Sequence, residues 1–219
     1  KSNFKEKNFI FSNDFLYTGA INFYNTNLTL KNCSFSKIDS EDALNVVSSN
    51  FELDTLKFEE NSSDSIDVDF GYGKIKNIDF KYIGNDALDF SGSNVKVNKI
   101  NLFNVGDKLI SVGEGSNLEI ENLIAKNSYI GVASKDSSKA YIKNIKMNNV
   151  KIPFASYQKK KAYNYGFIEV KEPISIENFY SKTLKDLNST ILINSSNVGK
   201  VNKNINQIVY EKKINILKN

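Results

Sequence analysis

The 219-residue chain has no histidine, no arginine, no tryptophan and only one cysteine. Without histidine, serine–histidine–aspartate triads and imidazole-ligated metal centres are excluded. Without arginine there is no bidentate guanidinium clamp for carboxylate or phosphate. Any proton transfer is left to Asp, Glu, Lys or Tyr. Cys33 has no partner for an intramolecular disulfide. No apolar run approaches the ~18 residues of a membrane-spanning helix, so no span is expected. The chain opens KSNFKEKN, with neither a Met nor the apolar core of a signal peptide, which reads as a mature or trimmed piece of something longer.

Charge is plentiful but unevenly placed. The net charge is +4, yet Asp39 to Gly92 holds 13 acids and 4 lysines, whereas Ser93 onward holds 10 acids and 20 lysines. This polarity is expected either of a cation-attracting section beside one that attracts polyanions, or of two solvated faces.

The strongest pattern is an internal repeat. Apolar residues recur at x, x+2, x+5 and x+7. The quartets begin at Leu28, Phe51, Gly73, Val95, Leu118 and Ala140, in steps of 23, 22, 22, 23 and 22 residues. A second alternating segment follows each quartet: ALNVV, SIDVDF, ALDFS, LISVG, IGVAS and IPFAS. Units of this length with several short strands and tight turns predict a β-solenoid. Coils stacked at a strand spacing of roughly 4.8 Å give about nine or ten of them in this chain. The position before the third core residue reads Asn32, Thr55, Asn77, Lys99, Asn122 and Asn144. Asn tolerates left-handed backbone, and stacked amides can bond along the axis. Cys33 falls in a core column and reads as a small apolar residue.

These segments, with SEDALNV, GNDALDFSGS, GDKLISVGEGS, IGVASKD and YQKK, resemble the right-handed parallel β-helix proteins of the pectin-lyase-like superfamily, closest to the bacterial "right-handed β-helix region" group. The resemblance covers roughly residues 20 to 165. It implies an all-β, right-handed parallel β-helix, in keeping with the general preference for right-handed crossovers. It also implies a place in a larger cell-surface or exported protein, hence an extracytoplasmic location. The superfamily contains pectate lyases, polygalacturonases, epimerases and phage tailspikes, and fold alone does not choose among them. The histidine-containing signatures of the epimerases and polygalacturonases are absent here. One domain is expected over 1–219: an incomplete opening coil over 1–27, regular coils over 28–165, and irregular coils with a cap over 166–219.

Aligning the alternating segments gives an inward column of Leu44, Ile66, Leu88, Ile110, Ile130 and Ile152. The outward column beside it runs Asn22, Asn45, Asp67, Asp89, Ser111, Gly131 and Pro153, and the next runs Tyr24, Val47, Asp69, Ser91, Gly113, Ala133 and Ala155. Asp67 and Asp89 are then about 5 Å apart on neighbouring coils, with Asp69 on the same face. Three readings of this patch stand side by side. It is a solvated ladder, or a Ca²⁺ site made of the hard oxygens of Asp67, Asp69 and Asp89, or an acid/base pair of Asp67 and Asp89 for glycoside hydrolysis. In lyases of the family it resembles, Ca²⁺ on such a face bridges to a uronate carboxylate. The turn column Asp42, Asp64 and Asp86, then Lys108, reads as local turn chemistry with Lys108 offsetting charge, the alternative being a role in the site.

Farther along come Glu114, Lys135, Asp136 and Tyr157, with Lys135 preceding Tyr157 in a column. Next is the insertion QKKKAYNYG, holding Lys159, Lys160 and Tyr163. Lysines attract carboxylates or sulfates, and tyrosines stack on sugar faces. Lys108, Lys135 and Tyr157 are candidates to neutralise substrate or abstract a proton. Glu114, Asp136, Lys159, Lys160 and Tyr163 are candidates to bind it. The expected partner is an acidic polysaccharide, bound and, in an enzyme, cleaved by a lyase or hydrolase route. The competing expectation is a non-catalytic structural or binding module. Basic–aromatic interleaving also occurs in single-strand nucleic-acid binders, but the acidic half argues against nucleic acid.

Overall fold

The apolar quartets become two short strands joined by a bend, and the alternating segment after them becomes a third. Repetition of that unit makes a parallel β-solenoid of about eight turns in the computed structural model, which describes residues 10–12 and 15–211. The first nine residues of the expected opening coil and the last eight of the expected cap lie outside the described residues. Among the described residues no helix is long and apolar enough to cross a membrane.

Each coil contributes to three faces. The first stacks Asn27–Lys31 on Asn50–Asp54, then on 72–75, 94–97 and 117–120, Lys139–Ile142, Phe167–Val170 and Thr190–Ile193. The second runs from Ser34–Ser36 and Leu56–Asn61 to Ile174–Glu177. The third runs from Gly19–Tyr24 through Asp42–Val47, Asp64–Asp69 and Leu88–Ser91 to Thr183–Lys185. The quartet starts pair in register from Leu28 to Ala140 as the repeat requires. Their side chains fill one continuous core, in which Phe35, Phe58 and Phe80 stack with centroids 4.5 and 5.2 Å apart. Cys33 is partly buried against that core.

The bends need left-handed backbone, and they recur in columns. Asn32, Thr55 and Asn144 have φ of 56°, 56° and 45° at one bend; Glu60, Tyr82, Asn104, Asn127 and Asn149 share another. The amide ladder forms at the second of these. Asn149 donates to Asn127 Oδ1 at 2.9 Å, and Asn127 to Asn104 Oδ1 at 2.6 Å. In the column expected to carry the ladder, Asn77, Asn122 and Asn144 instead bond to Asp54 and to the carbonyls of Asn98 and Glu121. Coils approach closely at Gly84 and Gly106, where an added Cβ would lie 2.0 Å from the Ser62 carbonyl oxygen and 2.2 Å from that of Gly84.

The third face departs from the expected columns at one place. Pairing shifts between Val105 and Lys108, so Ile110 pairs with Val132 and Ser111 with Ala133. The next coil keeps this register, with Ile130 on Ile152, Ala133 on Ala155 and Lys135 on Tyr157. Ile130 and Ile152 therefore leave the inward column for that of Asp86 and Lys108, and pack into a second apolar cluster on the outer side. Ala133 and Ala155 replace Gly131 and Pro153 beside Asp89 and Ser111.

At the C-terminal end Thr190–Ile193 and Ser196–Asn197 form an antiparallel hairpin. Lys200–Val201 adds to Thr183–Lys185, and residues 202–211 then run back across the outer side of the third face.

Candidate functional site

The outer third face carries three columns whose chemistry changes along the axis. Asp42, Asp64 and Asp86 give way to Lys108, Ile130 and Ile152. Asn45, Asp67 and Asp89 give way to Ser111, Ala133 and Ala155. Asp69 and Ser91 lead to Gly113, against which the Lys135 side chain lies, and then to Tyr157. An acidic end thus passes through lysines to an apolar end.

At the acidic end the turn column behaves as expected. Asp64 Oδ1 accepts the Asp86 backbone N–H at 2.9 Å and the Asn85 amide at 2.7 Å. Asp86 Oδ1 accepts the Lys108 N–H at 2.9 Å. Asp42 accepts the Thr18 hydroxyl at 2.7 Å. Burial is the main force on these carboxyls, pushing Asp42 and Asp64 up to about 6. Asp67 directly opposes Asp89, as anticipated. Burial first, then the charges of Asp69, Asp42 and Asp89, push its carboxyl up to about 9. Asp69 is raised too, by burial and then by Asp89 and Glu114.

Three carboxylates that bring ligand atoms within 4.8 Å of one another are Asp64, Asp86 and Asp89 rather than Asp67, Asp69 and Asp89. Their donor set is not arranged for Ca²⁺. Asp64 is already taken up by two N–H donors, and Asp86 faces the Lys108 ammonium at 3.3 Å. A cation there meets a resident cation.

At the basic end, Lys108 is buried with its ammonium 2.7 Å from Asp107 Oδ2 and 3.3 Å from Asp86 Oδ2. Burial works against its charge, but the two carboxylates prevail and raise it above the usual lysine range. The same burial pushes the Asp86 carboxyl up, opposed by Lys108. Lys135 is buried, bonded to Ser111 Oγ at 2.5 Å and 3.8 Å from Asp89 Oδ1. Tyr157 is fully buried, with its hydroxyl 2.6 Å from that of Tyr210, and burial holds it well above the usual tyrosine range.

The inserted loop sits beside these groups. Buried Asp136 accepts the backbone N–H groups of Lys159 and Lys160 through Oδ1, each at 2.7 Å, so it anchors the loop. Lys160 pairs with Glu114. Tyr163 is half-buried and holds Gln158 through its carbonyl. Partial burial, then the Lys135 and Lys108 ammoniums, hold Lys159 below the usual lysine range.

The residues that close this end lie outside the repeat. Ile205 and Val209 are buried against Tyr129, Ile130, Ile152 and Tyr157. Tyr129 Oη donates to the Ile208 carbonyl at 2.7 Å. The spacing of Ile205, Ile208 and Val209, one face of a helical turn, is the signal that points to them. Asp107, beside Lys108, likewise stands outside the columns that the repeat defines. A separate open trough of about 590 Å³ follows the amide ladder past Tyr82, Asn104, Asn127 and Asn149, and includes none of the anticipated residues.

Fold and site together define a parallel β-solenoid with a charge-graded outer strand face. No family model, curated protein or solved structure matches the chain.

Proposed function

We propose that this solenoid is a non-catalytic module that binds an acidic polysaccharide at the basic end of its third outer face, through Lys108, Lys135 and the loop lysines Lys159 and Lys160. In this reading it is a pectin-lyase-like β-helix serving at or outside the cell surface. The observation that carries it is the gathering of these lysines on one end of one face, beside an exposed loop that also presents Lys161 and Tyr165. Proton affinities count against elimination at two of the candidate bases. An elimination base must be free to accept a proton. Lys108 is held protonated by two aspartates, and the Tyr157 hydroxyl is buried on Tyr210. Ca²⁺ has no role in the proposal.

Calorimetric titration of oligogalacturonate and of a sulfated oligosaccharide into wild type and Lys159→Ala/Lys160→Ala tests it. Binding that weakens by about tenfold or more in the variant is expected, because each lysine contributes a charge-assisted contact. Equal binding by both proteins, or none by either, refutes the assignment. Release of unsaturated uronate, followed by ultraviolet absorbance, refutes the non-catalytic part.

One observation favours hydrolysis as a second reading. Asp67 is protonated at neutral pH and faces Asp89 across one coil step, as a general acid and its partner do. Reducing ends released by wild type and not by Asp67→Asn would establish it; their absence across uronate and sulfated glycans disposes of it.

A further inference from the structure

The segment 202–211 is attached to the basic end by two kinds of contact. Ile205 and Val209 are buried in the outer apolar cluster. Tyr210 lies farther along, over the charged part. Its ring centroid is 5.5 Å from Lys108 Nζ and 5.0 Å from Lys159 Nζ. Its hydroxyl meets Tyr157. Among the described residues Lys159 has no ion-pair partner, and the ring face of Tyr210 is its contact with the strap. A neutral ring face attracts a cation less strongly than an anionic oxygen bonded to it. The segment therefore covers Lys159 with a group that satisfies it incompletely, next to a Lys108 ammonium that Asp86 and Asp107 already pair.

We propose that residues 202–211 form a displaceable strap, and that the Tyr210 ring holds the place that a carboxylate or sulfate of the polysaccharide takes between Lys108 and Lys159. The inference rests on the reading of the basic end as a polyanion site. With the strap down, a ligand reaches the loop lysines; with Tyr210 lifted, it also reaches Lys108 and Lys135. The closed population lowers apparent affinity by the fraction of molecules that are open.

The test compares wild type, Tyr210→Ala and Tyr210→Phe. Trace acetylation, read by mass spectrometry without ligand, reports opening: Lys108 and Lys135 are protected in wild type and labelled in Tyr210→Ala. Oligogalacturonate and a heparin-derived oligosaccharide are then titrated, with a dextran oligosaccharide as the neutral control, and the better binder identifies carboxylate or sulfate as the group recognised. Tyr210→Ala is expected to bind about tenfold more tightly, with Tyr210→Phe between it and wild type. Bound oligosaccharide is expected to speed amide exchange over residues 204–211 of wild type.

If Tyr210→Ala exposes the lysines yet binds no tighter, the strap proposal fails while the polyanion site stands. If neither wild type nor the opened variant binds, both fail. Exchange that slows on binding also overturns the strap. Should circular dichroism show Tyr210→Ala unfolded, Val209→Ala and Tyr210→Phe carry the same comparison.

Discussion

Asp67 is the residue at which the acidic end is most costly. Its shifted carboxyl sets a sign. A group whose folded-state pKa is raised stabilises the fold while protonated; that contribution is whole below the unfolded value near 3.8 and is lost as pH rises through about 9. Asp67→Asn keeps the shape and removes the titration. Its melting temperature is expected to match wild type at about pH 4 and to exceed it by a growing margin at about pH 6 and 8, up to ~1 kcal/mol per pH unit. A constant margin across that range contradicts the account. Lys108 gives the converse case. Lys108→Met leaves Asp86 and Asp107 without the ammonium that faces both, and is expected to cost about 3–5 kcal/mol in urea unfolding. A loss below ~1 kcal/mol would mean that water, rather than Lys108, stabilises these carboxylates.

The coils themselves were legible because inward positions repeat apolar residues at a fixed step, and a slip of one residue would turn that set outward. Gly84 and Gly106 add a constraint that the apolar pattern does not carry. Gly106→Ala forces a methyl against a backbone oxygen that cannot swing aside, at an expected cost of about 1–3 kcal/mol by thermal melting. Gly115→Ala is no match for it as a control, since its φ of 80° adds backbone strain of its own. The columns were legible as far as Ser111 and then lost. LISVG and IGVAS have the same alternation, so aligning them by pattern places Ile130 opposite Ile110, whereas the register shift after Val105 places it opposite Lys108. Parity survives this error for Val132 and Phe154, which stay in the main core, but Ile130 and Ile152 pass to the outer side. The strap was only faintly legible, in the spacing of Ile205, Ile208 and Val209, for a different reason. Ile205 to Val209 pack on residues far back in the chain, and a single helical turn has no repeat to announce it. Its docking depends on Ile130 and Ile152 lying outside the main core, which the misplaced column concealed.

In a solenoid each coil touches its neighbours, so stability is distributed along the axis rather than shared by one core. The two ends of this molecule are held by different forces. Asp42, Asp64, Asp67 and Asp69 all have raised carboxyls on adjacent coils, with burial as the first cause in each. Each favours the fold while protonated, and each loses that contribution as pH rises, through about 6 for Asp42 and Asp64 and about 9 for Asp67. Losses on neighbouring coils add like-charge repulsion to desolvation. The opposite end has the apolar Ile130, Ala133, Ile152 and Ala155 in the equivalent columns, under the strap, in place of the carboxyls. The molecule is therefore expected to weaken unevenly as pH rises. Hydrogen exchange, corrected for its intrinsic pH dependence, should show protection falling between about pH 5 and 9 over residues 42–91 and holding over 130–157. Uniform loss along the whole axis would mean that the coils open as one unit and that the acid stack does not set the weak point. Protection that rises at the acidic end would reverse the sign derived for Asp67 and its neighbours.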